Sequence, residues 1–141
     1  MGETVEFELV TPERLMLAED VDMVVIPGSE GDFGVLPEHS PMISTVRPGV
    51  VNIYRKGAII RRVFVSGGFT EVGPERCTLL AEKAMDIGDI NRDSVNADLA
   101  DAQARLRSAQ PGGATAKSIE RKIRIAEAML AAAASVNKTG H

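Results

Sequence analysis

Very little in this sequence could hold a metal ion. One cysteine, Cys77, and two histidines, His39 and His141, are all that 141 residues offer besides carboxylates, and a structural zinc site built from them lacks ligands. Long apolar runs are missing too. None approaches the ~20 residues needed to cross a bilayer. The N-terminal MGETVEFELV alternates acidic with apolar residues instead of opening on a basic region and an apolar block. Neither membrane insertion nor secretion through a signal peptide is therefore expected. Aromatic residues make up only 4% of the chain, do not interleave with basic ones, and accompany a pI near 5.2 and a net charge of −4. That balance excludes nucleic acid as a partner.

Catalytic motifs are equally scarce. VSGG at 65–68 lacks the Gly-x-Ser-x-Gly of a nucleophile elbow. Gly28, Gly31 and Gly34 recur every third residue, but no Gly-Lys-Ser/Thr follows to make a phosphate-cradling loop. Glu30, Asp32 and Glu38 do not have the Asp-x-Asp-x-Asp-Gly spacing of a calcium loop. His39 stands beside Ser40 without a third member to complete a triad. The expectation is a protein that is not an enzyme and has no cofactor, no metal and no catalytic residue.

What is present is an ordinary globular balance, 44% hydrophobic and 26% charged, in a length that suits one domain with an appendage. From residue 3 to 83 the pattern is of short strands. Val5, Phe7 and Leu9 alternate with Glu6 and Glu8, and VDMVVIP, VVNIYRKG, AIIRRVFVSGG, FTEVG and RCTLLAEK follow, each bounded by turn residues. Such spacing suggests a sandwich or a barrel. Gly57 stands where a hairpin must reverse, and Gly67 and Gly68 read the same way, since glycine accepts positive φ. Cys77, Leu79 and Ala81 share one side of a strand, which makes the thiol a buried structural group.

After residue 88 the period changes. Val95, Leu99, Ala102 and Leu106 form one helical stripe opened by Asn91 as N-cap, QPGGATA interrupts it, and Ile119, Ile123, Ala126, Leu130 and Ala133 form a second stripe with Thr115 or Ser118 as its cap. An antiparallel helical hairpin over 89–141 is the economical reading. Its second helix carries a further apolar line, Ile125, Met129, Ala132 and Val136, and concentrates Lys117, Arg121, Lys122 and Arg124 in two turns. Residues 1–88 hold 14 acidic and 8 basic side chains against 6 and 8 in the remainder. The tail is the basic half and suits an acidic protein surface.

Between the first strands lies PGSEGDFGVLPEHSP, residues 27–41. Glycine and proline make it a surface loop. Phe33, Val35, Leu36, Pro37, Pro41 and Met42 give that loop apolar faces between its charges, which fits docking better than chemistry.

GSEGDFGVLPEHSP at 28–41, RPG at 47–49, VSGGFTEV at 65–72 and LLAEKA at 79–84, in this order and followed by two helices, resemble the epsilon-subunit family of F-type ATP synthases, called delta in mitochondria. The resemblance covers essentially the whole chain. It implies an α+β fold: an N-terminal antiparallel β-sandwich of about ten strands in two sheets over 1–88, then the C-terminal α-helical hairpin. It also implies a non-catalytic central-stalk subunit that couples the c-ring, turned by proton flow, to the gamma subunit and the catalytic head. Its place would be peripheral, on the cytoplasmic face of the bacterial inner membrane. By resemblance Glu30, Gly31, Asp32 and Phe33, with His39 on the neighbouring turn, contact the c-ring. Lys117, Arg121, Lys122, Arg124 and Met129 are the candidates for contact with beta or gamma, and alpha is a further partner through the hairpin. Some bacterial members bind ATP through an Ile/Leu-Asp-x-x-Arg-Ala motif opening the first helix, and an extended hairpin can block rotation. The corresponding stretch here is Ile90-Asn91-Arg92-Asp93-Ser94-Val95, and Ile125 and Met129 fall where arginines of the second helix would sit, with Arg124 one residue off. Bound nucleotide is therefore not expected.

Overall fold

The alternation at the N-terminus builds the first strand, β1 (Val5–Val10), in which Val5, Phe7 and Leu9 are buried and Glu6 and Glu8 are half-exposed. In the computed structural model, which describes residues 3–136, nine more strands follow. They are β2 (Leu15–Val21), β3 (Met23–Gly28), β4 (Gly31–Val35), β5 (Met42–Val46), β6 (Gly49–Arg55), β7 (Ala58–Val65), β8 (Gly68–Val72), β9 (Arg76–Ala81) and β10 (Ala84–Asp86). A 3-10 turn, Ile87–Asp89, leads to helices α1 (Arg92–Ser108) and α2 (Ala114–Ala134). The chain separates into two compact units, one ending at Asp86 and one beginning at Ile87. The division falls two residues before Gly88 because the 3-10 turn belongs to the helical side. His141 lies outside the described residues.

The strands lie in the order β10-β7-β6-β3-β5-β8-β9-β1-β2, with β4 on the free side of β3. Five of them, β4-β3-β6-β7-β10, make one layer and β5-β8-β9-β1-β2 the other. A single rung, Gly28 opposite Val46, joins the layers at one corner. The result is a sandwich that is nearly a barrel. All ladders are antiparallel except β1 with β9. Fully buried Val5, Phe7, Leu9, Val24, Ile26, Val51, Ile53, Val65 and Leu79 fill the space between the layers with Cys77. Burial pushes the Cys77 thiol pKa up, and a hydrogen bond with the Thr70 hydroxyl opposes this weakly.

Two expectations about turns divide here. Lys56 and Gly57, with φ of 53° and 79°, reverse the chain between β6 and β7 as a tight hairpin. Gly67 and Gly68 do not: β7 pairs with β6 and β10, whereas β8 pairs with β5 and β9. The two glycines carry the chain from one layer to the other. Gly68 has φ of 148°, and a Cβ there would fall 2.0 Å from the Leu80 carbonyl oxygen. Only glycine fits so close an approach between strands.

In the helical unit Asn91 caps α1, its side-chain oxygen accepting from the Ser94 amide at 3.0 Å. The cap of α2 is Gly113, not Thr115 or Ser118, which lie inside the helix. Val95 and Ala102 are the buried residues of α1, and Ala116, Ile119, Ala126, Ala132 and Ala133 those of α2. Leu99, Leu106, Ile123 and Leu130 are half-buried.

Candidate docking surfaces

The segment expected to be a loop is largely a hairpin. β3 and β4 pair from Val24 with Val35 to Gly28 with Gly31, and only Ser29 and Glu30 form the turn between them. The glycines have defined jobs. Gly31 takes a φ of 134° on leaving the turn. A Cβ on Gly28 would fall 2.8 Å from the Gly31 carbonyl oxygen and 2.9 Å from the Phe33 ring. The smallness of Gly28 lets the Phe33 ring lie across the hairpin.

At the tip Glu30, Gly31 and Asp32 are exposed, whereas Phe33 is half-buried and packs against the core. Val35 is fully buried and Met42 also packs inward, so the apolar face expected of this segment reduces mainly to the exposed Leu36 and Pro41. The tip is fastened to the end of β5. The Ser29 N–H donates to the Thr45 carbonyl, their hydroxyls share a hydrogen bond, and the Arg47 N–H donates to the Pro27 carbonyl. The Arg47 guanidinium donates from one nitrogen to the Gly28 carbonyl and from the other to Asp32 Oδ1 at 2.6 Å.

The structure does not bring His39 to this tip. β4 runs away from it for five residues, a rise of about 13 Å at ~3.3 Å per step. Residues 36–41 connect its far end to β5. Glu38, at φ 66°, donates its N–H to the Pro74 carbonyl in the β8–β9 turn, and His39 Nδ1 lies 2.7 Å from the Ser40 carbonyl. The strand directions gather the turns 11–14, 29–30, 47–48, 66–67 and 82–83 at one end of the sandwich. His39 stands at the other end.

A second surface escaped the sequence reading. On the outward side of the β5-β8-β9-β1-β2 layer, Thr45, Phe69, Leu80, Val10 and Leu15 are opposite one another across successive strands. Phe69, Leu80 and Leu15 are each more than half exposed, and Ile43, two residues before Thr45 on the same side of β5, is 74% exposed. This apolar rung borders the turn end that carries Glu30. A more distant row on the same layer is charged: Arg76 pairs with Glu6 at 3.0 Å, and the acidic neighbours Glu6, Glu8 and Glu75 push its pKa up. The signal for the rung was the run of two leucines in TLLAE, one of which must face outward, but its extent emerges only with the strand register.

On α2, Lys117, Arg121, Lys122 and Arg124 are all exposed and Met129 is half-buried. At ~100° per residue Lys117, Arg121 and Arg124 form one stripe opposite the line Ile119, Ala126 and Ala133, with Lys122 apart from it. Ile125 and Met129 lie between the two. Asn91 is already used as the cap of α1 and Val95 is buried. Among the described residues no cluster of three or more His, Cys, Asp or Glu is placed to hold a metal ion, and no helix is long and apolar enough to cross a membrane.

Comparison with known proteins meets this geometry directly. Residues 4–87 match the family model for the β-sandwich domain of the ATP synthase delta/epsilon chain. The ATP synthase epsilon chain of Rhodospirillum rubrum is 51% identical over 132 residues, covering 94% of this chain and 98% of the relative. That of Paramagnetospirillum magneticum is 46% identical over 140 residues, 95% of this chain and 100% of the relative. Among solved structures, a chain in the Euglena gracilis mitochondrial ATP synthase assembly of OSCP, F1 and c-ring has the same fold, with a TM-score of 0.80 at 24% identity over 92% of this chain and 81% of that one. A chain of the Tetrahymena thermophila mitochondrial central stalk and c-ring follows at 0.57 and 16%, over 89% of this chain and 96% of that one. Match over the sandwich and identity above 45% along nearly the whole length lead to one conclusion: this chain belongs to the ATP synthase delta/epsilon chain family, as an epsilon chain that is an accessory, non-catalytic subunit.

Proposed function

We propose that the sandwich clamps the foot of the gamma subunit to the ring of c subunits, so that rotation driven by proton flow passes to the catalytic head. The observation that carries this is the presence of two different exposed surfaces on one sandwich. The turn end offers a carboxylate-bearing hairpin tip, Glu30 to Phe33, suited to polar and basic loops of a ring. The neighbouring rung of Phe69, Leu80 and Leu15 is apolar and suits burial against a folded partner such as gamma. A clamp needs two faces held at a fixed angle, and a continuous ten-stranded sheet supplies that rigidity. His39, at the far end, is assigned to a neighbour other than the one met by the tip. The complex would hold this chain peripherally, on the cytoplasmic face of a bacterial inner membrane.

The hairpin is given a different part. Lys117, Arg121 and Arg124 on one exposed stripe suit an acidic surface of a beta or alpha subunit, and docking there would let the hairpin regulate ATP hydrolysis. Capture of the tagged chain from solubilised membranes, with partners identified by mass, should return gamma and c subunits together with alpha and beta. Replacing Phe69 and Leu80 by serine should release gamma preferentially, and reversing Glu30 and Asp32 to lysine together should lower coupled ATP synthesis and retention on washed membranes. Unchanged retention and synthesis in both double variants would overturn the clamp.

A further inference from the structure

The two carboxylates at the hairpin tip are not equivalent. Asp32 is held at 2.6 Å by Arg47, whose second nitrogen also binds the Gly28 carbonyl and whose own N–H donates to the Pro27 carbonyl. One residue at the end of β5 thus grips both strands of the hairpin beside its turn: Pro27 and Gly28 on β3, Asp32 on β4. Glu30, at the apex, makes no hydrogen bond or ion pair among the described residues. We infer that Arg47 is the positioning residue of the ring-facing tip, that Asp32 acts through Arg47 as an internal strut, and that Glu30 is the carboxylate presented to the partner. This rests on the reading that the tip meets the c-ring.

The strut has a physical need. The turn has only two residues, Gly31 takes a left-handed φ on leaving it, and glycines at 28, 31 and 34 add backbone freedom to both strands. A tip that transmits torque should be ordered before it docks, because ordering it on contact would weaken the contact. Hydrogen bonds to two neighbouring strands from a planar, forked guanidinium do this with one side chain. Lysine at position 47 could not hold Gly28 and Asp32 in the same forked manner. The ion pair is exposed on both sides, with Asp32 60% and Arg47 43% accessible. Its value therefore lies in geometry more than in charge attraction.

A double-mutant cycle separates the roles. The full-length variants Asp32→Asn, Arg47→Gln, their combination, and Glu30→Gln are compared by amide hydrogen exchange at residues 28–33 in the free chain and by retention on washed membranes carrying the complex. Asp32→Asn and Arg47→Gln should each speed exchange at the tip by about two- to fivefold. The Asp32→Asn effect on both readouts should vanish in the Arg47→Gln background. Glu30→Gln should weaken retention with tip exchange unchanged. The inference is overturned if Asp32→Asn weakens retention as much in the Arg47→Gln background as in the native one, which would make Asp32 a direct contact. It is equally overturned if tip exchange ignores both substitutions. Exchange that moves as expected while retention ignores every variant supports the strut and refutes the ring-facing reading of the tip, so the two failures are distinguishable.

Discussion

The sandwich and the helical hairpin bury very different side chains. Between its layers the sandwich fully buries Phe7, Leu9, Ile26, Ile53, Leu79 and a series of valines. In the helical unit alanines dominate: Ala102, Ala116, Ala126, Ala132 and Ala133 are buried beside Val95 and Ile119, with Ile87 in the turn before them. Large apolar side chains each contribute roughly 1.5–3 kcal/mol on full burial, and an alanine methyl far less. Alanine lets helices approach closely without holding them strongly. The sandwich is thus expected to be the more stable of the two units, and the hairpin the one that opens at lower free energy.

Substitutions in the core should separate the two regions most. Phe7→Ala should cost the sandwich about 3–5 kcal/mol, read as a shift of the urea midpoint of the strand signal. Ile119→Ala should instead speed amide exchange along α1 and α2 and leave strand exchange where it was. Equal losses in both regions from either substitution would show one cooperative unit instead of two. Gly68→Ala probes the crossing between layers. The left-handed φ alone costs ~1–3 kcal/mol, and contact with the Leu80 carbonyl adds to it, so the strand transition should fall while the helical transition does not. A smaller effect belongs to the hairpin alone. Asn91→Ala removes the cap of α1 and should cost ~1 kcal/mol, visible as faster exchange of the first-turn amides with the strands unaffected.

The smallest effect is in pH dependence. Burial raises the folded pKa of the Cys77 thiol above its ordinary value of 9.0. The neutral thiol therefore contributes stability that is fully present below about pH 9 and is lost as the pH rises from there through the folded value. From about pH 9 upward the strand-signal urea midpoint should fall more steeply in the native chain than in Cys77→Ala, while the hairpin signal should show no such difference.

How much of this was legible in the sequence follows from where the information lies. α1 announced itself because a helical stripe and its cap are local, and Asn91 does bind the Ser94 amide as its spacing suggested. The strand character of residues 3–83 and the buried side of Cys77, Leu79 and Ala81 came from alternation alone. β2, β4, β5 and β10 were not anticipated as individual strands. β4 is GDFGV, glycine-containing and hemmed by turn residues, so its composition argues for a loop while its pairing with β3 makes it a strand. Gly67 and Gly68 looked like a hairpin because positive φ is a local property, but whether a turn closes on its neighbour or crosses between layers depends on partners far along the chain. The cap of α2 was misplaced for a simpler reason: Gly113 supplies the extended backbone before the helix without any side chain to reveal it. The grouping of His39 with the tip failed as geometry, since a short separation in sequence hides a strand that carries it to the opposite end. The apolar rung and the Arg47 grip both join residues on strands brought side by side by register, and no spacing rule exposes them.

The most direct test of the division of labour is to end the chain after Gly88 and express it in place of the full subunit. The truncated chain should fold, with strand amide exchange close to that of the intact protein, and should be retained with gamma and the c-ring on washed membranes. Loss of strand protection, or a folded chain that no longer stays on the complex, would contradict a sandwich that folds and docks without its hairpin.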